Sequence, residues 1–462
     1  MEPTPRREAG GEYAAAPISA DITESSRTDR RLVPRAYRER IDNRRERLRS
    51  RARELGPGLI TGAADDDPSG IASYSQAGAA FGYATLWIAL VTLPLMAAVQ
   101  LMCARIGIIA RSGLAGVLRE HYPRWLLWLA CTMLLVGNTV NIAADLGGMA
   151  AAASLLTGIP SIWFVPAFAL LILFVLIFAS YERMTRVLKW MTLALFAYVL
   201  AAFLARPDPV AILTNTFVPR IEWSRDFLFM LVAILGTTIS PYLFFWQAAQ
   251  SAEQDAYWRQ RLIGRPQRAL QRELRAATRD VNAGMFFSNA IMFFIILTAA
   301  ATLHAAGVTD VETAAEAASA LKPIAGAGAA ALFTIGLVGT GMLGVPVLAG
   351  SAAYAVAEAA AWRAGMDEKV HTARHFYGVI AVAMIAGMLL NFSHVNPIRL
   401  LIWSAVINGL LAPPMIVIIL VVCNNSAVMG AHRNGRWLNV LGVIAALAMF
   451  IAAGALIYSW FS

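Results

Sequence analysis

The sequence predicts an all-α polytopic membrane protein with 11 transmembrane helices, on three observations. Of its 462 residues, 58% are hydrophobic and only 15% are charged, against about a quarter charged in an ordinary soluble domain. Apolar runs long enough to cross a bilayer alternate with short polar connectors from about residue 57 onward. Two of those runs, the first and the sixth, are interrupted by proline and polar residues.

The runs fall at about 57–81, 84–105, 125–156, 161–180, 187–205, 226–250, 281–303, 327–357, 376–392, 397–422 and 437–460. The interrupted runs are five apart, as equivalent elements of two five-helix halves would be. That places one repeat at 57–205, a second at 226–422 and an extra helix at 437–460. Discontinuous helices at matching positions of two halves mark a transporter whose site lies at mid-membrane. The transmembrane transporter domain therefore spans 55–462, and 1–54 is a basic, partly disordered cytoplasmic tail.

The net charge of +9 is a matter of topology. Fourteen of the 38 Lys and Arg residues precede residue 54, and no basic-aromatic reading surface accompanies them, so nucleic acid is not an expected partner. The stretch "YRERIDNRRERLRSRAREL" is either a basic helix on anionic headgroups or part of the disordered tail. With the amino terminus inside, the inside connectors begin at Arg105, Ser180, Ser251, Ala360 and Cys423 and hold 19 Lys and Arg, against about five outside. Seven lie in the 259–279 loop alone. The expected location is the cell membrane, amino terminus cytoplasmic and carboxyl terminus outside. The amino terminus has no apolar signal-peptide core. The lipid bilayer is an expected partner, and the oligomeric state stays open, a monomer included. Cys103, Cys131 and Cys423 have no metal-ligand spacing and read as packing residues.

The first break reads "GAADDDPSG" and the sixth run contains "GTTISPYLFFWQ". Asp-Pro-Ser-Gly is a good turn sequence, and prolines are tolerated in membrane helices. Three carboxylates are not so easily absorbed, because an intramembrane charge costs at least ~2.5 kcal/mol. A calcium loop is excluded, since Gln76 stands where its bidentate Glu is needed. Asp67 directly precedes Pro68, where backbone carbonyls are freed, and a carboxylate beside free carbonyls makes a hard cation site. The sixth run offers the carbonyls of Thr237 and Thr238 and the hydroxyl of Ser240 from the other side. Asp65 and Asp66 line the entrance or add negative charge around the ion.

These residues resemble the NRAMP family of divalent-metal transporters, and most closely its magnesium-transporting branch. The similarity runs from about Pro57 to Ile457 and is most specific in "GPGLITGAADDDPSGIASYSQAGAAFGY" and "TTISPYLFFWQ". It implies a LeuT-like fold of two inverted five-helix repeats with helices 1 and 6 broken. Where metal-ion members carry Asp-Pro-Gly-Asn, this chain has Asp67, Pro68, Ser69 and Gly70; where they carry Met-Pro-His, it has Ser240, Pro241 and Tyr242. The resemblance also implies backbone ligands at Ala64 and Thr237.

The departures point to a hard ion. Without the methionine thioether the site loses its soft ligand. Gly70 in place of Asn removes an oxygen and is expected to widen the cavity. Mg2+ keeps part of its water shell and suits such a site, so the expected cargo is Mg2+, with Mn2+ second. The ion is substrate, and no cofactor is expected. The proton-coupled members carry an Asp and, three residues on, a Glu in the third helix; here these are Asp145 and Gly148. Two sixth-helix histidines are replaced by Tyr242 and Gln247. Asp145 is then either a structural carboxylate capped by neighbours such as Asn141 or a residual proton carrier. A divalent ion gains about 4.6 kcal/mol per 100 mV, enough for uptake without protons.

Other features divide between packing and function. Asn408 either completes the ion's water shell or bonds between helices, as do Gln76 and Gln100. Gly336, Thr340 and Gly344 at spacing four indicate close helix packing. Phe244, Phe245 and Trp246 form a gate or simply pack. The alternatives to a magnesium transporter are a proton-coupled Mn2+ or Fe2+ transporter and an amino-acid transporter of the LeuT-like fold. An acidic break argues against binding a substrate carboxylate. With no HExxH, no GxSxG and six histidines, of which only His394 and His304 lie near a membrane boundary, an enzyme is not expected.

Overall fold

The computed structural model describes residues 57–178, 195–259, 266–366, 368–393 and 395–461. The tail 1–54, the whole predicted 180–187 connector with the start of the fifth run, part of the 259–279 loop and His394 lie outside them. Every regular element among the described residues is helical. In chain order these are α1 (Pro57–Asp65), α2 (Pro68–Phe81), α3 (Leu86–Ala110), α4 (Leu114–His121) and α5 (Arg124–Thr157). Next come α6 (Ser161–Phe178), α7 (Phe196–Leu204), α8 (Pro209–Phe217), α9 (Arg225–Thr238) and α10 (Pro241–Arg259). The last five are α11 (Pro266–Thr302), α12 (Ala329–Ala359), α13 (Arg374–Leu390), α14 (Pro397–Asn424) and α15 (Arg436–Phe461), with short helical turns between some of them.

Helices stand at each predicted run, the fifth being described only from Leu195. Nine helical stretches among the described residues are long and apolar enough to cross a membrane. In that reckoning α2 and α3 make one stretch, as do α9 and most of α10, while α1 and α7 by themselves are too short. The connectors carry two elements that hydropathy does not reveal. The short α4 follows α3, and α8 lies between the fifth and sixth runs.

Among the described residues, large apolar side chains face outward and a set of polar side chains is buried between the helices. Phe174, Leu200, Phe203, Val382 and Ile451 are exposed, as lipid-facing side chains would be, and Trp125, Trp163, Trp223 and Trp437 lie exposed at or near helix starts. Asp65, Asp66, Asp67, Asn138, Asn141, Asp145, Gln247 and Asn408 are all buried. Small residues let the helices carrying them approach closely. A Cβ on Gly62 would lie 2.2 Å from the Gly284 carbonyl oxygen, and one on Gly236 would lie 2.0 Å from that of Ala405. The first contact joins α1 to α11 and the second joins α9 to α14, which holds each broken helix against a continuous one.

Prolines 94, 166, 346, 413 and 414 lie inside helices that continue past them. Pro68 and Pro241 instead start new helices. Each is preceded by a side chain that satisfies the freed backbone. Asp67 takes the extended conformation favoured before proline, with φ −70° and ψ 173°, and its carboxylate accepts the Gly70 N–H as an N-cap. Ser240 donates to the carbonyls of Gly236 and Thr237, at 2.7 and 2.8 Å, and closes the end of α9.

Candidate functional site

The Asp67 carboxylate lies where the two breaks meet, and every donor it can hold is supplied. Its Oδ1 accepts from the Ser69 hydroxyl at 2.6 Å and the Gly70 N–H at 2.8 Å. Its Oδ2 accepts from the Asn141 amide at 2.9 Å and, at a weaker 3.4 Å, from the Tyr242 hydroxyl. The same Tyr242 hydroxyl reaches the Ala64 carbonyl at 3.0 Å. Asn141 in turn accepts from Asn408 at 3.3 Å. The set therefore draws on α1, α2, α5, α10 and α14, and all of these side chains are buried. The site is closed to solvent in this conformation.

The other predicted residues divide between this centre and its supports. Ser240 turns its hydroxyl proton back to α9, so the Thr237 carbonyl is already bonded once. Thr238 donates to the Ile234 carbonyl at 2.8 Å within its own helix and does not join the cluster. Gln247 accepts from Thr61 at 2.7 Å and donates to Ser251 at 3.0 Å, tying α10 to α1. Gln76 bonds the Thr309 carbonyl and the Val311 N–H in the α11–α12 connection. Trp246 packs edge-on against Tyr354 of α12, and Phe244 and Phe245 are fully buried, so the three pack rather than gate in this state. Gly344 carries α12 past Asp67: a Cβ there would lie 3.0 Å from that of Asp67.

Three expectations are corrected. Gly70 opens no space, because a Cβ on it would meet the Thr237 hydroxyl oxygen at 3.1 Å and the Tyr74 ring at 3.3 Å. Its absent side chain is what lets the two breaks touch. Of the two readings of Asp65 and Asp66, the entrance is excluded in this conformation, and that of added negative charge stays open. Both are fully buried, facing Ser288 of α11, whose hydroxyl lies 2.5 Å from Asp65 Oδ2 and 3.4 Å from Asp66 Oδ1. Asn141 does not cap Asp145, since its amide goes to Asp67. Both Asp145 oxygens are buried outside hydrogen-bonding geometry.

Four carboxylates are thus buried together, at positions 65, 66, 67 and 145. Among the described residues the ion pairs are Arg119–Glu120, Arg363–Glu368 and Arg399–Glu312, none of which reaches them. No group of three or more His, Cys, Asp or Glu with metal-holding geometry occurs there either. A cation at Asp67 would therefore meet one carboxylate together with carbonyl, amide and hydroxyl oxygens, a hard set without sulfur or imidazole. Sequence reasoning missed Asn141 as an Asp67 partner, and it missed Ser288 and Tyr74. The one available signal was the spacing of Asn138, Asn141 and Asp145, which puts three polar groups on one face of an apolar helix.

A multi-pass helical bundle with two broken helices facing each other across buried carboxylates defines a class, the membrane proteins of the LeuT-like fold. The match to MhsT in complex with L-phenylalanine has a TM-score of 0.53 at 13% identity and covers 87% of this chain and 97% of that one, a likeness of fold alone. The chain belongs to the Nramp family, described as natural resistance-associated macrophage protein-like, whose model matches residues 58–459. It is 27% identical over 415 residues to the divalent metal cation transporter MntH of Deinococcus radiodurans, covering 87% of this chain and 89% of that protein. The Eremococcus coleocola manganese transporter, crystallised with an aromatic bis-isothiourea compound, superposes with a TM-score of 0.71 at 19% identity, over 88% of this chain and 87% of that one.

Proposed function

We propose that this chain moves hard divalent cations across the cell membrane by alternating access, Mg2+ first and Mn2+ second, without proton coupling. Membership of the Nramp family and the names of its relatives support the divalent-metal class. The observation that carries the finer reading is the chemistry around Asp67: one buried carboxylate, the Ala64 carbonyl, the Asn141 amide and the Ser69 and Tyr242 hydroxyls, with no sulfur or imidazole among them.

The metal-free contacts suggest how an ion enters. The Asn141 amide and the Tyr242 hydroxyl both donate to Asp67 Oδ2. An arriving cation takes over that oxygen, so the Asn141 amide turns to present its carbonyl oxygen. Tyr242 keeps a lone pair for the ion or for one of its waters. Gly70 and Ser69 remain on Oδ1 and hold the carboxylate in place. Mg2+ retaining water needs few direct protein ligands, which the Asp67 carboxylate and its neutral oxygen neighbours provide.

The lack of a relay supports uncoupled movement. Gly148 carries no ionisable group, and Gln247 is engaged by Thr61 and Ser251. The membrane potential supplies the driving force for a divalent ion. Residual proton carriage is the second reading, favoured by the unpartnered Asp145 carboxylate. The charge bias of the connectors supports an inside amino terminus and outside carboxyl terminus, with repeats at 57–205 and 226–422 and an extra helix at 437–460.

Liposomes holding the purified protein, a Mg2+-sensitive dye and a pH dye test the reading. The expected outcome is saturable Mg2+ influx, driven by an inside-negative potential, with no accompanying acidification. Acidification that scales with Mg2+ flux would establish the coupled alternative. Absence of Mg2+ and Mn2+ flux from folded protein would defeat the metal reading.

A further inference from the structure

We propose that Gly344 of α12 sets the width of the Asp67 centre, and through it the preference for Mg2+ over ions that shed water more readily. This role rests on the reading of Asp67 as the cargo site and names what fixes the size of that site.

The Asp67 side chain is held from two sides. Its Oδ2 accepts from the Asn141 amide of α5 at 2.9 Å. Its Cβ faces α12 at Gly344. A Cβ on Gly344 would lie 3.0 Å from that of Asp67, 3.8 Å from the Asp67 Cα and 3.9 Å from the Ala64 carbonyl oxygen. Carbon atoms pack at about 3.5–4.0 Å, so glycine fits against Asp67 and alanine would press on it. Three residues earlier, Gly341 meets the same break. A Cβ on Gly341 would lie 3.1 Å from Pro68 Cγ and would overlap the Met149 thioether. Residues three apart share a helix face, so α12 presents bare backbone to Asp67 and Pro68 together.

That surface is anchored. Thr334 of α12 donates to the Ala152 carbonyl of α5 at 2.9 Å. Asn138 of α5 donates to the Leu348 carbonyl at 2.8 Å and to the Ser351 hydroxyl at 2.7 Å, both on α12. These bonds tie α12 to α5 on either side of Gly344, and their side chains are buried. The helix behind Asp67 and the helix that carries Asn141 are therefore bonded to each other, with Asp67 between them. A methyl group at position 344 cannot push α12 back without breaking those bonds, so Asp67 gives way by a few tenths of an ångström. It moves toward α5, into the space beside Oδ2 that the ion and its water need. Mg2+ dehydrates reluctantly and keeps several waters, so a narrower site disfavours it more than it disfavours Mn2+.

Flux through the purified full-length protein in liposomes tests this, with Mg2+ and Mn2+ assayed separately and their half-maximal concentrations compared. Gly344→Ala is expected to raise the Mg2+ value about tenfold, as for other groups that orient a metal-binding carboxylate. The Mn2+ value should rise by less, so the ratio of the two increases. Gly350→Ala controls for packing damage on the same helix, since a Cβ there would lie 2.7 Å from the Trp246 ring. It is expected to lower the unfolding temperature in detergent and to leave the ratio at its wild-type value. A ratio in Gly344→Ala at or below that of the wild type, or an equal increase in Gly350→Ala, overturns the proposal. Should Gly344→Ala not fold, Gly341→Ala takes its place, because the flexible Met149 side chain can turn aside and leave only Pro68 pressed. The ratio is then expected to increase less, and no increase overturns the proposal. A folded wild type that moves neither ion defeats the cargo reading and this role with it, whereas wild-type flux with an unchanged ratio in the variant defeats the role of Gly344 alone.

Discussion

The two breaks use one device, a proline that begins a new helix, and complete it in opposite ways. At the first break the capping group is charged, and Asp67 draws donors from its own helix and from α5 and α10. At the second the capping group is neutral, and Ser240 spends its only proton on the carbonyls of its own helix. One break is knitted into the rest of the bundle and the other closes on itself. On the proposed reading the difference divides their parts: the first break would supply the charge for a cation, and the second would supply neutral oxygen around it.

The largest effect should follow from removing that charge while keeping the shape. Asp67→Asn still offers an oxygen to Gly70 but cannot balance a divalent ion. Flux in liposomes is expected to fall at least about 100-fold, the loss of ~2.7 kcal/mol or more. Retained transport would mean the two breaks are alike in kind. Next is Asn141→Ala, which strips Asp67 of a partner from outside the broken helix. The concentration for half-maximal flux is expected to rise about tenfold, as for other groups that orient a metal-binding carboxylate.

Ser240→Met changes the second break instead, and it alters preference more than rate. A thioether beside the cation raises the flux of Mn2+ or Cd2+ relative to Mg2+ in competition assays. An unchanged ratio would show that the second break does not touch the ion. The smallest effect belongs to Ser240→Ala, which removes a local cap. Thermal unfolding in detergent should reveal a loss of about 1 kcal/mol, typical of a hydrogen bond, with Mg2+ flux nearly preserved.

These substitutions also mark what the sequence could disclose. The breaks were legible because Pro68 and Pro241 each follow a residue able to cap, whereas Pro94, Pro166 and Pro346 follow residues that cannot. The spans were legible because lipid selects long apolar runs. The partners were not. Ser288 lies 222 residues from Asp66 and Asn408 lies 267 from Asn141, and which face of a helix meets which neighbour is decided by packing. The entrance stayed open as one of two readings of Asp65 and Asp66 for that reason, though both turn to α11. The Gly70 expectation failed on the same point. A missing side chain leaves space only if nothing moves in, and Thr237 and Tyr74 occupy it.

Mg2+ influx into dye-loaded liposomes, with wild-type and Asp67→Ala protein side by side, tests the central claim most directly. Saturable influx in the wild type and background influx in a variant that elutes as folded protein is the predicted result. Equal influx from both would show that the ion passes without the Asp67 carboxylate, contradicting the site at the first break.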